Sequence, residues 1–173
     1  MRKFIFLFIL LLVFNIKNCL AQNIYYADFD SIIKNSDVGK KIITYFDNEN
    51  SVLLEEIKKF QSQIKDKEKK IISQKNILET NEYVKKVNLL QNEIDNFNKK
   101  NNKKIQKLNN NKDKTLNLLM IEINKILKEF AETNNIDIIL SSNQMLIGKS
   151  NLDMTDKILK TVNKNVIKIE IIK

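Results

Sequence analysis

The sequence predicts a mainly α protein with a small β part. A long antiparallel helical hairpin, a coiled-coil tentacle, is expected to project from a small β body. Three observations predict it. Positions 40–147 contain neither glycine nor proline, a span that few folds other than long helices tolerate. Apolar residues recur every seven positions within that span. Both ends of the chain carry short runs rich in Ile and Tyr, which have strand character.

The N-terminus reads as an address. Met1-Arg2-Lys3 is basic, Phe4 to Phe14 is an apolar run, and Cys19-Leu20-Ala21 places small residues at −3 and −1 of a cleavage site. This layout predicts a secretory signal peptide over 1–21, cleaved after Ala21, with an apolar stretch too short to span a bilayer. Lipidation at Cys19 fits less well, because Lys17 stands where apolar residues are wanted. The mature chain then starts at 22 and holds no cysteine, so no disulfide can brace it.

The body is assigned to 22–40 and 132–173. Ile24-Tyr25-Tyr26-Ala27 is a strand candidate, Phe29 to Ile33 a helical turn, and Ser36-Asp37 a cap for the first long helix. Ile136 to Leu140 reads as a returning strand, Met145 to Ile147 as its neighbour, and Ser150 with Asp153 as a cap for a helix over 154–162. Residues 166–171 alternate Ile with charge, the period of a half-buried strand. A body of about 60 residues is marginal alone, so assembly through its strands, at Ile24, Tyr26, Ile136, Ile138 and Leu140, is the expected remedy.

The arm is assigned to 41–131. Ile57, Ile64, Ile71 and Leu78 form one column; Val87 and Ile94, with Tyr83, Leu90 and Phe97, form the seam of the second helix. A four-residue step near 108–116 is a stutter. Thr80 or Asn81 as N-cap sets the tip near 79–82. Folding there faces Ile71 with Leu90, Ile64 with Phe97 and Leu53 with Leu108. The columns falter at Lys67, Gln74, Lys104 and Asn111, which predicts arms able to splay.

Composition excludes several functions. The chain has no His and no Pro, one Cys and two Gly. Imidazole and thiolate nucleophiles, the usual zinc sites and glycine-cradled nucleotide sites are therefore not expected. No nucleophile–base–orienter set can be assembled, so neither an enzyme nor a cofactor is expected. The formal net charge is +9, and in the mature chain the excess lies wholly on the arms. It is densest at Lys99, Lys100, Lys103, Lys104 and Lys107, a diffuse positive surface suited to acidic polypeptides or anionic lipid headgroups. The mature chain has no Arg, which argues against nucleic acid as a partner.

Four segments in this order carry a resemblance: Ile24 to Asp28, Ser36-Asp37-Val38-Gly39-Lys40, Asn135 to Leu140, and Asp153 to Leu159. Together with the Lys/Glu hairpin they make the mature chain resemble the OmpH/Skp family of periplasmic chaperones. The resemblance implies a homotrimer whose bodies share a β-barrel. It also implies a periplasmic holdase, independent of ATP, that keeps unfolded outer-membrane β-barrel proteins soluble between its arms. Lipopolysaccharide or anionic lipid is a further partner class suited to the positive arms. The tail 166–173 extends past the family's usual end. The competing expectation is a secreted coiled-coil structural or adaptor protein of the cell envelope.

Overall fold

The computed structural model describes residues 22–166 and 168–173; the expected signal peptide lies outside them. The order of elements is β1 (Ile24–Ala27), α1 (Phe29–Asn35), α2 (Asp37–Ser73), α3 (Thr80–Thr133), β2 (Ile138–Ser141) and α4 (Thr155–Asn165), with 3-10 turns at Ser142–Gln144 and Ser150–Leu152.

Caps explain the boundaries near the N-terminus. Asp28 accepts the Ser31 N–H at 2.8 Å and opens α1; Ser36 accepts the Gly39 N–H at 3.1 Å and opens α2. The glycine at 39 is required by space: a Cβ there would overlap the carbonyl oxygen of Ile33 at the end of α1. The two helices thus meet at a corner that admits no side chain, and α2 leaves the body at once.

The helices α2 and α3 pack along each other. The turn joining them occupies 74–79, ahead of the expected 79–82. Glu79 is the N-cap through extended backbone (φ −61°, ψ 145°) and makes no side-chain cap bond. Thr80 is already helical. Its hydroxyl was a local capping signal, but the last half-buried seam residue of α2 is Ile71, and beyond it the chain turns.

At the far end α3 closes in a Schellman motif. Asn135 takes a left-handed backbone (φ 52°), its N–H reaches Glu132 O, and the Ile136 N–H donates to Ala131 O at 2.9 Å. This corrects the strand expected from Ile136. That residue is the buried apolar foot of the cap, and β2 starts two residues later.

Strands β1 and β2 pair in parallel, Ile24 opposite Ile138 and Tyr26 opposite Leu140. The pair is separated in sequence by the entire hairpin. Asp137 anchors it: its Oδ2 accepts the Asn23 N–H at 2.8 Å. On the other side of β1, Tyr26 O accepts the Met154 N–H at 2.8 Å. One sheet face, with Tyr25, Ala27 and Ile139, meets a core whose completely covered members include Ile32, Leu119, Ile123 and Ile158 from α1, α3 and α4.

Two further strand expectations are corrected. Met145 to Ile147 forms no strand, and Leu146 and Ile147 stand in solvent. The position beside β1 that such a strand could take is held by the 153–154 backbone. The described part of the tail is also not a strand. Ile169 and Ile171 lean on the core while Lys168 and Glu170 face out, and the Ile172 N–H donates to Thr115 Oγ1 at 3.1 Å. Alternation produced one-sided burial, but the partner is a helix.

Candidate client-binding surface

The arm is built from a partial seam. Phe60 and Phe97 stack with ring centroids 3.5 Å apart and planes within 9°. Ile57, Ile64 and Ile94 flank them, and Ile71 with Leu90 lines a cavity nearer the tip. These neighbours match the facing pairs expected from the heptads. The seam is thin: of all its apolar members between Phe46 and Leu108, only Ile64 is buried.

Polar links fill the gaps where the apolar columns falter. Lys67 Nζ meets Glu93 at 2.6 Å, Lys104 Nζ meets Glu56 Oε2 at 2.5 Å, and Lys86 Nζ donates to Gln74 Oε1 at 2.8 Å. Lys67, Gln74 and Lys104 therefore have partners across the hairpin, which corrects the expectation that they loosen it. The ion pairs are about half exposed, and such pairs contribute about 0–1 kcal/mol. The one orphan lies elsewhere. Asn101 Nδ2 is buried and has no hydrogen-bond partner among the described residues. An amide in that state costs about 1–3 kcal/mol, a local cost one helical turn beyond Phe97.

The five lysines singled out from sequence lie on consecutive turns of α3. Lys99, Lys100, Lys103 and Lys107 are exposed, and Lys104 is half-buried in its pair with Glu56. Only Lys104 and Lys107 line a common groove at the root of the hairpin. They join Tyr45, Leu53, Leu108 and the tail residue Ile172 around a cavity of about 330 Å³. Sequence reasoning missed this groove. Tyr45 stands one residue off the predicted column, edge-on to Phe46 at 5.1 Å, and nothing local announces that the tail returns to it.

Exposed apolar side chains continue along the arm outside the seam: Val52, Leu54, Ile72, Ile77, Val84 and Leu89. Long helices in water have no intrinsic use for these. The strand positions expected to mediate assembly divide. Ile24, Ile138 and Leu140 lie on the outer sheet face at 38–41% exposure. Tyr26 shares that face and is partly covered by the backbone at Gly148. Ile136 is in the core and unavailable to a partner. Among the described residues no helix is long and apolar enough to cross a membrane, and no group of acidic or Cys side chains could hold a metal ion.

A family model described as outer membrane protein (OmpH-like) matches residues 23–162. The match ends inside α4 and leaves the tail outside it. Among solved structures, the fold is similar to a crystal structure described as an outer membrane chaperone (OmpH-like) from Caulobacter crescentus CB15. The TM-score is 0.75 at 12% identity, over 87% of this chain and 89% of that one. At that identity the likeness concerns the fold. No curated protein sequence matches the chain.

Proposed function

The chain belongs to the OmpH-like outer membrane protein family, and on that premise we propose that it is a periplasmic holdase working without ATP. It assembles as a homotrimer through the outer face of the sheet, and unfolded outer-membrane β-barrel proteins are kept soluble between the three arms. Residues 1–21 act as the export signal, removed after Ala21. Anionic lipid or lipopolysaccharide is a secondary partner drawn by the arms' positive charge.

The observation that carries this reading is the set of exposed apolar side chains spread along and around a positively charged hairpin, Val52, Leu54, Ile72, Ile77, Val84 and Leu89. Unfolded barrel strands alternate apolar and polar residues. Many weak contacts on a long arm can shield such strands, avidity standing in for a fixed pocket. Assembly is supported by the size of the sheet. Two strands are below what is stable alone, the outer face of this pair is apolar, and β2 has no second neighbour among the described residues.

Two variants test it. In Ile138→Asp a charge falls on the outer sheet face, so the trimer should be lost and, because the body is marginal alone, the fold with it. Sedimentation and circular dichroism should find unfolded monomer, and a folded, stable monomer would overturn assembly through the sheet. Deleting 58–103, with Ile57 joined to Lys104 through a Gly-Ser turn, should leave the trimer intact yet abolish protection of an unfolded outer-membrane barrel from aggregation. Capture by the full-length protein should weaken, without vanishing, between about 0.05 and 0.5 M salt, as the screening length shrinks from ~14 to ~4 Å. An armless trimer that protects as well as the intact protein would overturn the reading. Protection of no client by either protein would favour the envelope adaptor.

A further inference from the structure

The tail beyond α4 has a place of its own. From Val166, buried against the core, it passes Ile126 and Leu118 on α3 and runs toward the tip, so that Ile172 and Lys173 line the root groove. Among the described residues its backbone is fixed by a hydrogen bond from Ile172 N–H to Thr115 Oγ1 at 3.1 Å. Thr115 is fully buried within α3, and its hydroxyl also donates to Asn111 O at 2.8 Å. The groove therefore holds the end of the tail by the Ile172 side chain, with the Ile172 N–H bonded to Thr115 beside it, while Ile169 and Ile171 pack on the neighbouring core.

That chemistry is generic. The acceptor reads a backbone N–H, which every residue except proline offers. The walls at Tyr45, Leu53 and Leu108 read bulk and apolarity. About 330 Å³ of the groove stays unfilled beside Ile172, room for further apolar side chains. The described tail has no strand partner, so what holds it is this one hydrogen bond and the half-buried Ile169, Ile171 and Ile172. A competitor that offers an apolar side chain and a free backbone N–H, as an unfolded barrel strand does, can make the same contacts.

We propose that the root groove is a docking site for an apolar side chain of an extended polypeptide, and that the end of the tail, Ile172 with Lys173, is its resident occupant. The segment yields to a strand of an unfolded client. This deepens the holdase reading and rests on it for the identity of the competitor. The tail then keeps the groove covered in the empty protein, where exposed Tyr45 and Leu108 would invite association between copies.

The test uses the mature protein, a version ending at Val166, and a fluorescent peptide spanning Asn165–Lys173. The peptide should bind the shortened protein at least tenfold more tightly than the intact one, and 0.5 M salt should change this little. Val52→Lys, at an exposed position on the groove wall, should weaken peptide binding several-fold without altering helicity. A synthetic strand of an outer-membrane barrel should displace the peptide. If the shortened protein is folded and still protects clients but does not bind the peptide, this inference fails and the holdase reading stands. If the peptide binds but no client is protected, the holdase reading fails and the groove remains.

Should the shortened protein not fold, a second construction decides. Leu108→Cys with Ile172→Cys, in a mature chain with no other thiol, is joined by a short bis-maleimide and compared with the same protein blocked singly at both cysteines. Tethering should slow client capture several-fold. Equal capture rates would overturn the proposal.

Discussion

The same two helices serve two different regimes. At the root, Ile42 of α2 and Leu119 and Ile123 of α3 are covered almost completely by α1, α4 and the sheet. Along the shaft, α2 and α3 have only each other, and most seam residues remain half-exposed. Helix propensity is similar in both stretches, so the difference lies in how many layers surround the helix. A two-helix hairpin can bury one stripe of each partner and no more. The root is therefore specified by packing. The shaft is held by a stacked ring pair, a few bridging ions and its own helical propensity, a construction that leaves side chains free for another chain.

The sharpest way to break the comparison is to shorten equivalent leucines on α3. Leu119→Ala in the root should lower stability by about 2–5 kcal/mol. Leu90→Ala in the shaft, at a site already half open to water, should lower it far less. Urea titrations followed by circular dichroism separate the two. Similar losses at both sites would mean that the shaft is as tightly packed as the body.

A smaller effect, of opposite sign, is expected at Asn101. Replacing it by Leu removes the buried amide that lacks a partner and should stabilise the arm by about 1–2 kcal/mol. Amide hydrogen exchange near residues 94–108 should slow by a factor of about 5–30, since 1.4 kcal/mol corresponds to tenfold. If the arms must open to admit a client, that variant should also capture more slowly. Unchanged exchange would show that the amide is satisfied by water in solution.

The smallest effect belongs to Lys67 and Glu93. Both side chains are about half exposed, and a double-mutant cycle should return a coupling of less than about 1 kcal/mol that shrinks further with salt. A larger coupling would place cross-arm ion pairs, rather than the aromatic stack, at the centre of the shaft's cohesion.

What was legible in the sequence follows the length of the repeating signal. The facing of Ile64 with Phe97 and of Leu53 with Leu108 could be read in advance, because a heptad column sustained over many turns leaves one solution for how two helices face each other. The tip was misplaced by a few residues, since Thr80 offered a hydroxyl but backbone at Glu79 closed the helix first. The tail illustrates a different limit. Alternation at Ile169 and Ile171 states that one side is apolar and is silent about what lies opposite. Ile136 was assigned to the strand because five apolar-rich residues in a row look continuous. The left-handed Asn135 that turns it into the core is visible only in the backbone. The root groove, made by α2, α3 and the tail, joins residues more than a hundred positions apart, and no single stretch announces it.

The parallel pairing of β1 with β2 carries a consequence for how the molecule comes to exist. Asn23 and Asp137, which clamp the pair, are 114 positions apart, and closing a flexible loop of that length costs about 4 kcal/mol in chain entropy. A hairpin zipped from its tip removes that cost in advance, because two rigid rods deliver their free ends to the same place. The order of events is then dictated by geometry: shaft first, sheet last. A chain made from its N-terminus holds β1 idle until β2, on the far side of the hairpin, follows it. Throughout that interval β1 has no edge to pair with, and under the trimer proposed above a nascent copy would be barred from joining its siblings before its own arm is complete.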